Sequence, residues 1–545
     1  MAFNLDPAVE IWCGVSNRNW SKGMGNKGEV AVAHPLGGQP GREVAAAAAL
    51  VRLETFGGRV QVEWDDSGKT TSLGQLPFFV EFLKEGGLFD GWVADCPLVL
   101  TSPNAPAKRD LLGTMLLSVL AGHWRYAHIT ALRGDGVNPP LLGMGKVMSE
   151  DAVRRALKKM PAGAGIAWLR GHLDYAVGPL LGEPWILDVD TTVKPLFGHQ
   201  EGAVVSYNPK YRGRPSHIYH TYMMAELRLV LEVEVAPGNR HTSKHAAPGL
   251  WQLLARLGPG RRPWLLRGDA DWGTQRVMAE AEAAGVDYLF KLRAGAGVKR
   301  LVERSMGEAG WQTAGQGWQG KESRLRLAGW SRVRRVVLLR RRLKEPLSLS
   351  GRGAKPALAK AGGQLSLGFV EVSRGEVHEY AVLVTSLDQE LLTIAQLYRD
   401  RADVENAFDE LKNQWGWGGF TTRDLKPCRL MARIIALVYD WWNLYARLAD
   451  PDHHREAITS RPLLLHAIAR QTSHAGQTWL SIGSLHGLAA KARQALTAIS
   501  AFFATLRTTA EQLTAPLRWL RILAHALRKY LKGQPLAPPF LPHTA

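Results

Sequence analysis

Residues 185–192 read Trp185-Ile186-Leu187-Asp188-Val189-Asp190-Thr191-Thr192, and residues 264–269 read Trp264-Leu265-Leu266-Arg267-Gly268-Asp269. Each is a short apolar run that turns acidic at its end. Such a run, bounded by polar residues, reads as a buried strand. An acid at its tip stands at the edge of a sheet, where side chains leave the core together. Acids at strand ends also cap loops, so neither run marks a site alone. A third carboxylate on a nearby helix would make them one.

Working outward, residues 185–189 and 203–207 read as strands and 219–235 as one long strand or a hairpin. A helix is predicted over 248–257, a strand over 264–267, a helix over 275–284 and a strand over 287–292. Three strands, a helix, a strand, a helix and a strand predict an α/β fold, a mixed sheet flanked by helices. That is the order of a ribonuclease H-like core. Residues 293–390 interrupt it with a β-rich insertion, whose strands are expected at 324–330, 332–339, 365–372 and 379–385 between Gly-rich turns.

Charge is concentrated in that insertion. The chain carries 68 Lys and Arg against 49 Asp and Glu, a net of +19. Between Lys291 and Lys355, 17 Lys and Arg face only Glu303, Glu308, Glu322 and Glu345, so +13 of the excess lies there. A solvated charged face mixes its signs, whereas a one-sided segment attracts a polyanion. Arg332, Arg334, Arg335, Arg340, Arg341 and Trp330 are its candidate DNA contacts.

Residues 391–415 are predicted to form one helix. At 100° per residue, with Leu397 at 0°, Val404, Phe408 and Leu411 fall within about 40° of it and form the buried stripe. Arg401, Lys412, Glu405 and Tyr398 follow at roughly 40°, 60°, 80° and 100°, one strip along the margin of the core face. Asp400, Asp403 and Glu410 point to solvent, and Asp409, at roughly 120°, is an alternative to Glu405.

The remaining chain is framing. Residues 1–75 are an irregular N-terminal region, with a Gly-rich loop over 16–41 and a short strand pair over 51–64. Residues 76–175 read as a helical, candidate DNA-binding domain; Leu111, Met115, Leu116 and Val119 recur at helical spacing, and Ser149 starts a helix carrying Val153, Leu157 and Met160. The core then divides into 176–292 and 391–450 around the insertion, and 451–545 is a helical C-terminal region ending in a Pro-rich tail. Cys13, Cys96 and Cys428 are too few and too far apart for a disulfide framework or a zinc site, and the acidic start carries no signal peptide, so a reducing cytoplasm is expected. No apolar run reaches the length of a membrane span.

Three carboxylates beside cations suit phosphodiester chemistry. Charge develops on the attacking and the leaving oxygen, and two Mg²⁺ ions about 3.5–4 Å apart can stabilise both. Mg²⁺ takes hard oxygen ligands, so carboxylates suffice without Cys or His. Arg401 and Lys412 fit phosphate contact, Arg through paired donors and Lys as a point charge. A glycosidase built on paired carboxylates would have no use for the basic segment.

Tyr398, Arg401, Glu405 and Lys412 reproduce the spacing Tyr-x2-Arg-x3-Glu-x6-Lys. The pattern resembles the signature of bacterial insertion-sequence DDE transposases of the cut-and-paste group. Residues 111–113, 121–129 and 188–192, and the run 208–213, resemble one GC-rich branch of that group, so the likeness covers about 105–450. It implies that Asp190, Asp269 and Glu405 are the catalytic, metal-binding acids, with Asp188 and Asp271 in supporting roles. It implies Mg²⁺, with Mn²⁺ as substitute, and Tyr398, Arg401 and Lys412 gripping phosphate. It further implies double-stranded DNA partners (terminal inverted repeats and target), a hairpin intermediate, a homodimer on DNA, and a bacterial, nucleoid-associated location. In such enzymes an aromatic residue of the insertion stacks on a flipped base; Trp311, Trp318 and Trp330 are the candidates. A nuclease without strand transfer, or a DNA-binding descendant that has lost catalysis, are the rival expectations.

Overall fold

The computed structural model describes residues 51–206, 208, 211–342, 370–373, 376–508 and 512–539. The described residues fall into two compact units, 51–66 and 67 onward. In the first, β1 (Val51–Thr55) and β2 (Gly58–Val62) pair antiparallel, the strand pair expected there, turning through Gly58 at φ 107°. The loop expected over 16–41 lies outside the described residues.

The second unit begins with β3 (Thr70–Thr71) and the helices α1 (Leu76–Glu85), α2 (Leu88–Ala94), α3 (Lys108–Leu120), α4 (Glu150–Lys159) and α5 (Ala162–Val177). Helix α4 starts as the sequence predicts. The Ser149 hydroxyl accepts the Ala152 N–H, acids stand in its first turn, and Lys158 and Lys159 stand in its last, complementing the helix dipole. Val153, Leu157 and Met160 are buried.

The central sheet follows. Its strands are β4 (Ile186–Pro195), β5 (Val204–Val205), β6 (Pro215–Met224), β7 (Leu229–Pro237), β8 (Leu265–Gly268) and β9 (Asp287–Lys291), with α6 (Ser243–Leu257) and α7 (Gln275–Ala284) in the crossovers. Then come α8 (Ala296–Met306), β10 (Gln312–Gly315), β11 (Trp318–Leu325), β12 (Arg334–Arg342), β13 (Val370–Ser373) and β14 (Glu376–Thr385). Strand β6 pairs antiparallel with β7 on one side and β4 on the other, and β8 and β9 continue in parallel from β4. Beyond β9 the sheet goes on antiparallel through β14, β12, β11 and β10, so the expected insertion extends the core sheet to eleven strands.

Several elements differ from expectation for local reasons. Strand β4 does not stop at Asp190. Thr191, Thr192 and Val193 are β-branched and favour the pleat, and β6 pairs with them as far as Pro195 opposite Ser216. The span 219–235 is a hairpin, turned at Arg228 with φ 54°. Residues 326–330 leave the sheet, with Gly329 at φ 85°, although 324–330 read as a strand. Helix α8 was hidden by its basic, Gly-flanked sequence. Beyond β14, the expected single helix is two, α9 (Leu391–Arg399) and α10 (Ala402–Asn413). Next comes α11 (Leu425–Ala449), almost wholly buried. The C-terminal region is not all helical: β15 (Ala469–His474) and β16 (Gln477–Ile482) form a hairpin that adds to β3, before α12 (Ala489–Thr508) and α13 (Ala515–Ala526).

The sheet buries both faces. Leu187, Val189, Leu266 and Phe290 belong to the large core shared with α5, α6 and α11. Ile186, Leu265 and Leu289 point the other way and pack with Val337, Leu339 and Leu383 under Ile394, Ala395 and Tyr398 of α9. Among the described residues no helix is long and apolar enough to cross a membrane.

Candidate active site

The register of three parallel strands sets up the site. Val189 stands opposite Gly268, and Gly268 opposite Phe290. One residue further along each strand come Asp190, Asp269 and Lys291. Alternation places these three on the face of Asp188, Arg267 and Leu289, the face covered by α9. With neighbouring strands about 4.8 Å apart, the row spans roughly 10 Å. Gly273 lets the loop after β8 close against its end, since a Cβ there would sit 2.7 Å from the Lys291 carbonyl oxygen.

One row back, Asp188 is committed to structure. Arg267 donates to both its oxygens at 2.7 and 2.6 Å, and both side chains are buried. Asp271 is paired with Arg293. Asp188 therefore presents no open carboxylate, and one oxygen of Asp271 is taken by Arg293.

Asp190 accepts the Thr191 N–H at 2.6 Å and is ion-paired with Arg401. Burial raises its pKa; Arg401 and the Thr191 N–H oppose this, and the charges of Glu405 and Asp188 add to it. Asp269 accepts the Asp271 N–H at 3.0 Å, and burial followed by the Asp190 charge pushes its pKa up to about 6. Burial lowers the pKa of Lys291, although Glu379, Asp269 and Glu405 pull the other way. Two acids and a lysine therefore share one desolvated, strongly interacting cluster.

The break between α9 and α10 brings the remaining residues in. At Asp400–Arg401 the backbone tightens to i−3 bonds: Arg401 N to Tyr398 O, Asp403 N to Asp400 O and Val404 N to Arg401 O. Arg401, buried at this corner, reaches Asp190. Tyr398 lies on α9, its pKa pushed up to about 12 by burial with the acids adding. Glu405 lies half-buried in the first turn of α10, close enough for its charge to act on Asp190, Tyr398 and Lys291. Lys412 is half-buried seven residues on, about 10 Å along the axis and nearly on the same side.

The predicted single strip across 391–415 is thus replaced by a corner between two helices. Val404, Phe408 and Leu411 are buried as expected. Glu410 is not in solvent: it accepts the Trp415 and Ala457 N–H groups, each at 3.0 Å, and pairs with His454. Asp409 is exposed and accepts from Asn413. Lys291 is the member of the cluster that sequence reasoning passed over; its signal was an apolar strand, 288–290, ending in a cation.

The basic strands are largely occupied internally. Arg334, expected on DNA, is buried and donates to both oxygens of Glu282 at 2.8 and 3.1 Å, because β12 points it into the sheet's face against α7. Arg335 pairs with Glu322, and Arg341 with Glu379. Arg332 is exposed and touches Glu282, and Arg340 donates to Gln319. Trp330, a candidate for base stacking, is buried with Arg334 over its ring. Trp318 and Trp311 likewise carry Arg341 and Arg340 on their faces, at 4.9 and 4.0 Å.

Among the described residues no three His, Cys, Asp or Glu side chains stand arranged to hold a metal ion. The donor chemistry nonetheless fits one: hard carboxylate oxygens, two of which have pKa values raised by burial with neighbouring carboxylate charge adding, and with Arg401 supplying the counter-charge in this structure.

Comparison with known proteins gives a family. The family model described as transposase DDE domain, group 1, matches residues 108–502. None of the curated proteins matches the sequence. Among solved structures, the piggyBac transposase synaptic complex with hairpin DNA, seen by electron cryomicroscopy, is similar at 11% identity and a TM-score of 0.34, covering 84% of this chain and 85% of that one.

Proposed function

The chain belongs to the DDE transposase family, group 1, and from that premise we propose that Asp190, Asp269 and Glu405 are its catalytic carboxylates on a ribonuclease H-like core. The observation carrying this is the row of Asp190 and Asp269 on adjacent parallel strands, with Glu405 brought within electrostatic reach from α10. The strand order β7–β6–β4–β8–β9, antiparallel then parallel, supports the fold assignment. The spacing of Tyr398, Arg401, Glu405 and Lys412 supports a place among bacterial insertion-sequence enzymes.

Enzymes of this family use divalent metal ions; in this chain the three acids would hold Mg²⁺, or Mn²⁺ in its place. The ion, when bound, stabilises charge on the attacking and leaving oxygens. The chain's own residues position the rest. Arg401, Lys412 and Lys291 neutralise the phosphate beside the acids, and Tyr398 supports the corner from α9. A water oxygen attacks phosphorus in line, the P–O3′ bond breaks, and a 3′-hydroxyl is left on the transposon end. That hydroxyl attacks the opposite strand to give a hairpin, which is hydrolysed before the end joins target DNA. The exposed Arg332 and the half-buried Arg340 of the basic segment follow the duplex. Holding two ends requires two copies of the chain.

The test supplies terminal-repeat DNA, a target plasmid and Mg²⁺. Wild type should yield cleaved and joined products. Asp190→Ala, Asp269→Ala and Glu405→Ala should each lose cleavage by about a thousandfold or more while keeping DNA affinity. Retained cleavage in any of the three refutes that residue's assignment.

A further inference from the structure

Two of the sequence blocks that set this chain apart, 121–129 and 208–213, have no part in the acid cluster, yet one loop links their surroundings. Residues 415–424, which follow α10, form that loop. The Phe420 N–H donates to the Trp124 carbonyl at 2.6 Å, and Gly419 lies so close that a Cβ would overlap the same oxygen. On its other side the Gly419 carbonyl accepts from Lys194 of β4, and the Arg423 carbonyl accepts the Glu201 N–H. The three loops are therefore one surface beyond the C-terminal end of β4.

That surface displays aromatic rings. Trp124 is 52% exposed, Phe197 73% and Tyr211 41%. Arg125 lies over the Trp124 ring at 5.2 Å and Arg214 over Phe197 at 4.6 Å, while Phe197 and Tyr211 meet edge to face at 6.4 Å. Exposed rings gathered in one patch, unlike rings scattered singly, mark a binding surface. The charge of these loops says what it binds. Residues 121–128, 196–206, 211–214 and 415–424 hold four arginines (Arg125, Arg212, Arg214 and Arg423) against Glu201 and Asp424. Both acids are engaged, Glu201 by the Leu425 N–H and Asp424 by Lys158.

We propose that this strip is a second DNA-binding site, which takes single-stranded DNA by stacking unpaired bases on Trp124 and Phe197. The inference rests on the DNA transposase reading above. Duplex backbone calls only for cations, whereas exposed rings among arginines match the faces of unpaired bases together with their phosphates. Phe197 is seven residues past Asp190, within roughly 23 Å along an extended strand. The strip is placed to hold strand that has lost its partner beside the cut.

Fluorescence anisotropy of the full chain, with labelled oligothymidylate of about 20 nucleotides and a blunt duplex of the same length, tests this. The double variant Trp124→Ala/Phe197→Ala should bind oligothymidylate about tenfold or more weaker, with duplex affinity within about twofold of wild type. Trp124→Phe/Phe197→Tyr, which keeps both rings, should restore most of the loss. An unchanged thermal midpoint excludes unfolding, which both rings' exposure makes the expected result. No loss on oligothymidylate, or equal loss on both probes, overturns the proposal. Asp190→Ala separates the two readings: it should bind oligothymidylate like wild type, and if it still cuts DNA the acid assignment fails while the strip stands.

Discussion

Arg267 of β8 donates to both carboxylate oxygens of Asp188 on β4, tying adjacent parallel strands together directly behind the Asp190–Asp269 row. Removing one partner of such a buried pair leaves an uncompensated charge and costs about 3–5 kcal/mol. Asp188→Ala should therefore lower the unfolding midpoint strongly. Asp190→Asn should not, because Arg401 keeps Asp269 and Asp188 within electrostatic reach. Denaturant unfolding of both variants checks this; equal losses would mean that the two aspartates share one role.

Asp269 titrates near 6 in the folded chain against 3.8 for an ordinary aspartate. A raised carboxyl pKa means that the folded state holds the proton more tightly than the unfolded one. Its contribution to stability is complete below pH 3.8 and is lost as pH rises through about 6. In metal-free buffer, Asp269→Asn should stabilise the protein at pH 8 by on the order of 3 kcal/mol, with no gain at pH 4. Thermal midpoints of wild type and variant across this range would show it, and a gain independent of pH would rule out the titration.

Divalent cation should act on the same repulsion. Adding Mg²⁺ or Mn²⁺ at neutral pH should raise the thermal midpoint, and chelation should reverse the rise. Ten- to hundredfold saturation corresponds to roughly 1.4–2.7 kcal/mol. Asp269→Ala and Glu405→Ala should flatten the response. Arg401→Ala should strengthen it, since the guanidinium and the cation compete for Asp190. An unaltered response in the acid variants would place the ion elsewhere.

Two neighbouring arginines of the basic segment should separate cleanly. Arg334→Ala breaks a buried fork on Glu282 and should cost about 3 kcal/mol of stability without changing the salt dependence of DNA binding. Arg332→Ala removes an exposed partner of the same glutamate, worth about 0–1 kcal/mol. It should leave stability intact and reduce the salt slope by about one. The reverse pattern would contradict the burial of Arg334.

Much of the core was legible because its strands are short apolar runs that end in charge; the helix at 275–284 and the strand ending at Lys291 stand where the pattern placed them. The stripe of Val404, Phe408 and Leu411 was equally plain. What escaped depends on contacts across the fold. No local signal bends the helix at Asp400, where the long-range pull of Asp190 on Arg401 is met. Glu410 looked solvated because its partners, Trp415, His454 and Ala457, include residues more than forty positions away. The arginines of β12 looked alike in sequence; alternation puts Arg334 and Arg340 on one face, and only their distant neighbours separate them, Glu282 of α7 for Arg334 and Trp311 with Gln319 for Arg340.

The union of β14 with β9 limits how this chain can be dissected. Residues 293–390 are joined to the core by hydrogen bonds of its own sheet, from Leu383 opposite Lys291 to Thr385 opposite Leu289. Excising them would bare the backbone of β9 as an open edge, prone to pair with other chains, and would strip the wall beside Lys291. The excised piece would in turn lose the strand on which it is built. Neither half is an autonomous fragment, so truncation is the wrong tool for dividing DNA grip from cutting, and point substitutions are the right one.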